Sequence, residues 1–189
     1  MNVHAPSHEF ELARWRFTVR DVERMVEVGI LSEGDRVELI EGELIEMAPK
    51  GDEHEGVKDP LVMRIARSIP DPLSVSVETT LKLSSDTIVE PDLIIYDASN
   101  GRAGLNAEAV LLAVEVSVST LAYDLNRKPL VYAAHGVREL WVIDVVGRTV
   151  RVHRDPSNGT YADAQDHPVT RPLAPLLVPN LSITFADFM

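Results

Sequence analysis

Helical spacing of apolar residues predicts two helices in the first third of the chain. Between residues 22 and 30, apolar side chains recur at intervals of three and four. Thr18 precedes this run, with Asp21 in the place of a capping-box acid. Residues 54–69 show the same amphipathic spacing, and Pro60 marks either the first turn or a kink of this second helix.

Alternation of apolar and polar residues predicts strands elsewhere. Segments 36–40 and 43–47 flank a Gly-containing dipeptide, which is typical of a β-hairpin. From Leu73 onward a period of two predominates. Residues 110–116 are apolar except for Glu115, as expected for a central strand that is covered on both faces.

The second half of the chain mixes both patterns. Residues 120–135 contain a helix whose regular part begins near Lys128, because Pro129 belongs in a first turn. Further strands are expected at 139–144, at 149–153, near Tyr161 and at 181–185. This order predicts an α/β (α+β) domain with a mixed β-sheet flanked by helices, preceded by an N-terminal helix and a β-hairpin.

Length and composition indicate one globular domain. The 189 residues are 45% hydrophobic and 25% charged, and residues 1–14 are expected to form a flexible N-terminal segment before a domain at 15–189. The absence of cysteine excludes disulfides, thiolate catalysis and cysteine-ligated zinc. No apolar run approaches the ~20 residues of a membrane span and no secretory signal opens the chain, so we expect a cytoplasmic protein.

The charge balance narrows the choice of partners. Thirty acidic and 18 basic residues give a net charge of -12, which argues against a surface that binds nucleic acid all over. A local basic groove remains compatible with this charge. Arg148, Arg151 and Arg154 are candidates for a weak nucleic-acid contact, with Arg148 and Arg154 on the strand face opposite Arg151. The alternative is that these arginines are solvated surface residues.

Two carboxylates stand out in apolar surroundings. Asp92 follows Pro91 at the start of a predicted strand, where it is either a capping residue of a turn or a functional group. Glu115 lies inside an apolar strand, and a buried carboxylate needs a metal, a cation or several hydrogen-bond donors. The alternative for Glu115 is a structural salt bridge to an arginine.

Lys128 is the third candidate. It lies four residues after Asp124, so the two share a helix face, and the simplest interpretation is a weak surface ion pair. In a first turn, however, the helix dipole disfavours a cation, which indicates another role for the lysine.

Asp92, Glu115 and Lys128 together indicate a function more specifically than any of them does alone. Two carboxylates on neighbouring strands can hold one divalent cation. A nearby lysine can orient or deprotonate a water molecule, or neutralise charge on a phosphate. These are the components of metal-assisted phosphodiester hydrolysis.

The same residues carry a family resemblance over about residues 18–188. Pro91-Asp92, the run Glu115-Val116-Ser117-Val118-Ser119-Thr120, and the spaced residues that follow resemble the Uma2 family of restriction-endonuclease-like proteins, which belongs among the PD-(D/E)XK nuclease folds. The spaced residues are Asp124, Lys128, Tyr132, Gly136-Val137 and Glu139 to Asp144. The hairpin at 37–47 and His54 at the start of the next helix resemble this family as well.

The resemblance implies roles for named residues. Asp92 and Glu115 would hold Mg²⁺ or Mn²⁺, and Lys128 would be a displaced form of the motif lysine, because Ser117 occupies the usual place two residues after the acid. Accessory positions in the same cleft are Glu38, His54, Ser117 and Asp124.

The resemblance also implies a reaction and its partners. A single PD-(D/E)XK nuclease-like domain at 15–189 would be an endonuclease acting on nucleic acid, with DNA expected. Cutting both strands with one domain per chain calls for two active sites, so we expect a homodimer. The alternative is a catalytically silent nuclease fold that acts as a binding or dimerisation module, since a fold by itself does not imply a function.

Overall fold

A computed structural model describes residues 13–32 and 34–189, so nearly all of the predicted flexible segment 1–14 lies outside the described residues. Helix α1 (Val19–Glu27) begins where the sequence indicates. Its N-cap is Thr18, and the predicted capping box with Asp21 is present in both directions. Among the residues of this helix only Val19 is buried, so α1 lies on the surface.

A small four-stranded sheet follows α1. The predicted hairpin is confirmed as β1 (Val37–Ile40) and β2 (Glu43–Glu46). On its other side β1 pairs with the short strand β5 (Ile88–Val89), and β5 pairs in turn with β4 (Leu81–Lys82). Both turn residues, Glu41 and Gly42, have positive φ values of 50° and 79°. A Cβ atom at Gly42 would lie 2.7 Å from the Cβ atom of Arg16, so this turn requires glycine.

The main sheet has six strands in the order β10-β9-β8-β7-β6-β3. Strands β7 and β8 are parallel and all other neighbours are antiparallel, which confirms the predicted mixed sheet. The strands are β3 (Leu73–Val77), β6 (Leu93–Asp97), β7 (Val110–Ser117), β8 (Glu139–Asp144), β9 (Thr149–Ser157) and β10 (Thr160–Pro168). Strand β7 lies inside the sheet, as its apolar sequence predicts.

Both faces of the main sheet are covered. One face packs against helix α2 (Asp52–Ala66) and the C-terminal segment, through Leu61, Ile65 and Phe185. The other face packs against the small sheet and helix α4 (Lys128–Ala134), through Ile40, Tyr132 and their neighbours. Alternate residues of β7 therefore enter two different cores.

The helices differ in detail from the sequence prediction. Helix α2 begins at Asp52, and Pro60 lies in its interior, which rules out the first-turn alternative for this proline. The region 120–135 forms two helices, α3 (Leu121–Asn126) and α4, and the second begins at Lys128 as predicted.

The prediction of a strand at 181–185 is wrong. The segment makes one isolated bridge, Leu173 with Ile183, and then a 3₁₀ turn at Phe185–Asp187. Prolines at 172, 175 and 179 remove backbone donors from the partner segment, so no ladder can extend there. Among the described residues, no helix is long and apolar enough to cross a membrane.

His153 on β9 generates a prediction about pH. Burial, together with the positive charge of Arg151, lowers the pKa of His153 to about 4 from an ordinary value of 6.5. Because the unfolded chain binds this proton more tightly, the free energy of unfolding falls as the pH drops from 6.5 towards 4. Between pH 7.5 and pH 5 this histidine should cost about 1–2 kcal/mol.

Chemical denaturation at the two pH values checks this. His153→Phe should lose that part of the pH dependence, whereas His167→Gln on the edge strand β10 should keep it. Identical pH dependence in the wild type and His153→Phe would contradict the prediction.

Candidate functional site

A cavity of about 560 Å³ opens where the small sheet meets one end of the main sheet. Its wall combines β1 and β2, the loop after β2, the start of α2, the beginning of β6, the end of β7, and the first turns of α3 and α4. Six of the seven residues predicted from the sequence line it: Glu38, His54, Asp92, Glu115, Asp124 and Lys128. The seventh, Ser117, is fully buried behind the wall.

Glu115 lies at the base of the cavity. It has the same parity on β7 as Ala113, so its side chain leaves the sheet on the α4 face. Its Oε1 atom accepts hydrogen bonds from the Lys128 ammonium at 3.0 Å and from the Tyr132 hydroxyl at 2.7 Å. Burial raises the pKa of the Glu115 carboxyl to about 8; Lys128 only partly offsets this, and nearby carboxylates such as Asp92 raise it further.

Lys128 joins two parts of the fold. Its ammonium donates to Glu38 of β1 at 2.6 Å as well as to Glu115 of β7, and Glu38 also accepts the backbone N–H of Glu90 at 2.8 Å. Burial by itself would lower the pKa of Lys128, but the charges of Glu115 and Glu38 outweigh burial and raise the pKa above its ordinary value. The contacts with both carboxylates therefore favour the charged form of Lys128.

Asp92 precedes β6 at the opposite wall. Its Oδ2 atom accepts the backbone N–H of Val116 at 2.7 Å and lies 3.0 Å from His54 Nε2. Its Oδ1 atom lies 2.9 Å from the Lys50 ammonium. Burial would raise the pKa of Asp92, but His54, Lys50 and the Val116 N–H together lower it to about 2.

A closed ring of charged groups holds Asp92 in place. From Asp92 the ring runs through Lys50, Glu78, Lys58, Glu55 and His54, and back to Asp92. The Lys50 ammonium lies 3.0 Å from Glu78, and its contacts with Glu78 and Asp92 are ion pairs without hydrogen-bond geometry. Of this ring, sequence reasoning identified only Asp92 and His54, because Lys50 lies in a loop and Glu78 lies in a turn without a recognisable motif.

Asp124 does not form the surface pair with Lys128 that the spacing suggests. Both side chains are buried, and Lys128 is directed at Glu38 and Glu115. Asp124 instead accepts a hydrogen bond from the Thr120 hydroxyl, which lies 3.4 Å from the hydroxyl of Ser117. Burial raises the pKa of Asp124, because the Thr120 bond offsets only part of the lost hydration.

The arginines of β9 lie elsewhere. Arg151 forms a two-point ion pair with Asp166 across the β9–β10 pair, and Arg154 pairs with the buried Glu139. Arg148 adopts a positive φ of 52° in the turn before β9. None of the three lines the cavity.

The cavity is rich in carboxylates, the ligands that hard cations prefer. Four buried carboxylates, Glu38, Asp92, Glu115 and Asp124, face two ammonium groups, Lys50 and Lys128, which leaves a formal charge of -2 when all are ionised and His54 is neutral. In the part of the chain that the structure describes, no three acidic or histidine side chains lie close enough together to hold a metal. One or two carboxylates, completed by water and phosphate oxygens, are typical of magnesium rather than of a zinc cage.

Comparisons with known proteins identify the family and the fold. The sequence profile of the Uma2 family, described as "Putative restriction endonuclease", matches residues 19–186. A crystal structure from Anabaena variabilis, described as a "putative nuclease belonging to DUF820", superposes with a TM-score of 0.67 at 20% identity, covering 87% of this chain and 96% of that one. No protein with a curated function matches the chain significantly. With the family profile covering nearly the whole sequence and a nuclease fold in common with a solved structure, this chain belongs to the Uma2 family.

Proposed function

We propose that this protein is a metal-dependent endonuclease that hydrolyses phosphodiester bonds in DNA. The observation that carries the proposal is the convergence of Asp92, Glu115 and Lys128 from three separate elements on one cavity with an excess of negative charge. The description of the Uma2 family and that of its structural neighbour support a nuclease.

Asp92 and Glu115 would hold the cation, which is Mg²⁺ or Mn²⁺ in this proposal. When bound, such a cation polarises a phosphoryl oxygen and lowers the pKa of a coordinated water. Lys128 would donate a hydrogen bond to an oxygen of the phosphate or the attacking water and would neutralise charge that develops on the phosphate. Its raised pKa favours these roles over that of a base that deprotonates the water.

The accessory residues would act through these three. Glu38 holds the Lys128 ammonium, and His54 holds one oxygen of Asp92. Asp124 and Thr120 line the cavity and would add polar groups for a water molecule, and Ser117 would act only through its contact with the Thr120 hydroxyl.

A specific observation favours the non-catalytic alternative. Each proposed catalytic group already has protein partners: Asp92 contacts Lys50 and His54, and Lys128 contacts two carboxylates. Saturated ion pairs are also what a purely structural network contains. Metal-dependent cleavage of single-stranded, double-stranded and branched nucleic acids tests the two functions against each other, and no cleavage of any member would favour a binding module.

The first prediction concerns the metal. Mn²⁺ or Mg²⁺ should raise the melting temperature, because a ligand that binds only the folded state stabilises it by mass action. Asp92→Asn and Glu115→Gln should each remove this response. Glu108→Gln, which changes an exposed carboxylate outside the cavity, should keep it. Equal metal-induced stabilisation in the wild type and both cavity variants would contradict the shared site.

The second prediction concerns Lys128. Lys128→Met should lower kcat by roughly 100-fold with little change in KM, because it removes a cation that acts on the transition state. It should also cost about 3–5 kcal/mol of stability, because two buried carboxylates lose their partner.

Glu139→Gln is the matched control for this loss of stability. Glu139 is a fully buried carboxylate that pairs with Arg154, and it lies outside both the cavity and the ring of charges around Asp92. Its variant should be similarly destabilised and should keep most of the turnover. Equal losses of kcat in both variants would show that Lys128 acts only through stability.

The third prediction is the oligomeric state. A two-fold homodimer would bring two sites to opposite strands of one duplex. Sedimentation at micromolar concentration should therefore give about twice the chain mass of 20.9 kDa. A monomer would restrict the proposal to cleavage of single strands or to nicking.

A further inference from the structure

Hydrogen-bond donors without acceptors are concentrated in the cavity. Four buried side-chain atoms of the described residues have no hydrogen-bond partner: Arg36 Nη2, Lys50 Nζ, Tyr123 OH and His153 Nε2. The first three line the cavity, whereas His153 lies on β9. Because buried groups without partners are rare in native proteins, donors left free at one cavity point to hydrogen bonding with acceptor atoms inside it, from water or from a ligand.

Of the three side chains, Lys50 is the least available to a ligand. Its ammonium lies between the carboxylates of Asp92 and Glu78, which compensate its charge. Among the described residues, the Arg36 guanidinium has only long contacts with Ala48 and Glu90, and the Tyr123 hydroxyl has no hydrogen-bond partner.

Arg36 lies at the hairpin side of the cavity. It is two residues before Glu38 on an extended segment, so both side chains point to the same face, where Glu38 meets Lys128. Its guanidinium makes only long contacts, 3.4 Å to the Ala48 carbonyl and 3.5 Å to Glu90. One third of the side chain is still exposed, so a ligand can reach it.

Tyr123 lies at the helical side of the cavity. It belongs to the first turn of α3 and lines the cavity together with its neighbour Asp124. Burial, with the repulsion of Glu38, raises the pKa of Tyr123 to about 12, so its hydroxyl remains a donor near neutral pH.

We propose that Arg36 and Tyr123 bind the substrate by donating hydrogen bonds to backbone phosphates beside the one that is cleaved. The inference rests on the proposed nuclease function and extends it to residues that the metal and Lys128 do not explain. Phosphate oxygens only accept hydrogen bonds, and a guanidinium binds them with two parallel donors. Two donor sites from different elements, in the same cavity as Lys128, suit a backbone that crosses the cavity.

The acidic residues around the cavity make these two donors important for binding a polyanion. Glu46, Asp52, Glu53 and Glu90 also line it and repel a polyanion. Few cations in the cavity remain to hold the nucleic-acid backbone, so the removal of one should weaken binding strongly. It should also weaken the salt dependence of binding, because fewer counterions are released.

The experiment measures binding separately from cleavage. The probes are fluorescein-labelled single-stranded and double-stranded DNA oligonucleotides, titrated with the full chain by anisotropy, without divalent cation and with Ca²⁺. Arg36→Met and Tyr123→Phe should each weaken the binding of at least one probe about tenfold, the size expected for one hydrogen bond to a charged acceptor. Arg36→Met should in addition reduce the slope of log K against log salt by about 1.

Matched controls separate substrate binding from folding. Arg64→Met removes an exposed arginine of α2, and Tyr161→Phe removes a hydroxyl that donates to the Val137 carbonyl outside the cavity. Both should bind the probes as the wild type does. Tyr123→Phe should melt at or above the wild-type temperature, because the hydroxyl that it loses has no acceptor, whereas Tyr161→Phe should melt lower.

The outcomes distinguish this inference from the proposed function. Weaker binding in both variants supports it, whether or not the wild type cleaves DNA. Wild-type affinity in Arg36→Met and Tyr123→Phe overturns it and leaves a metal-dependent nuclease standing if the wild type cleaves. A wild type that binds neither probe overturns it as well.

Discussion

The buried ammonium of Lys128 is the interaction on which the cavity depends. It bridges Glu38 of the small sheet and Glu115 of the main sheet, at 2.6 Å and 3.0 Å, so one cation connects both layers. Without that cation the two carboxylates would be buried side by side, which is strongly unfavourable. The same contact fixes the position of Lys128 relative to the cavity, so in the proposed function one residue would serve both stability and chemistry.

The main sheet explains why polar groups can lie so deep. Strand β7 is covered on both faces, and its alternate residues enter an apolar core on the α2 side and the cavity region on the α4 side. Glu115 lies at the edge of the second core, where Tyr132 and Lys128 satisfy it. Asp92 enters from the neighbouring strand and is tied to β7 through the Val116 N–H, so the two acids are held by the backbone ladder itself.

The two acids differ in their electrostatic surroundings. Asp92 has the Lys50 ammonium beside one oxygen and two N–H donors, of His54 and Val116, beside the other, and its pKa is lowered, whereas burial and neighbouring acids raise the pKa of Glu115. This asymmetry resembles the environments that separate paired carboxylates in enzymes. It also supports the alternative of a binding module, because the charge of Asp92 is already well compensated by its neighbours.

The sequence by itself determined the capped helix α1, the hairpin, the central strand β7 and the start of α4, because these follow from local periodicity, capping and turn chemistry. It also identified six residues of the cavity, through a spacing that resembles a known family. Only the tertiary structure revealed the partners Lys50, Glu78 and Tyr132, the unpaired donors of Arg36 and Tyr123, and the irregular C-terminal segment. The physical reason is that a hydrogen bond or an ion pair between distant segments leaves no local pattern: Glu38 and Lys128 are 90 residues apart, and only the packing of two sheets brings them together.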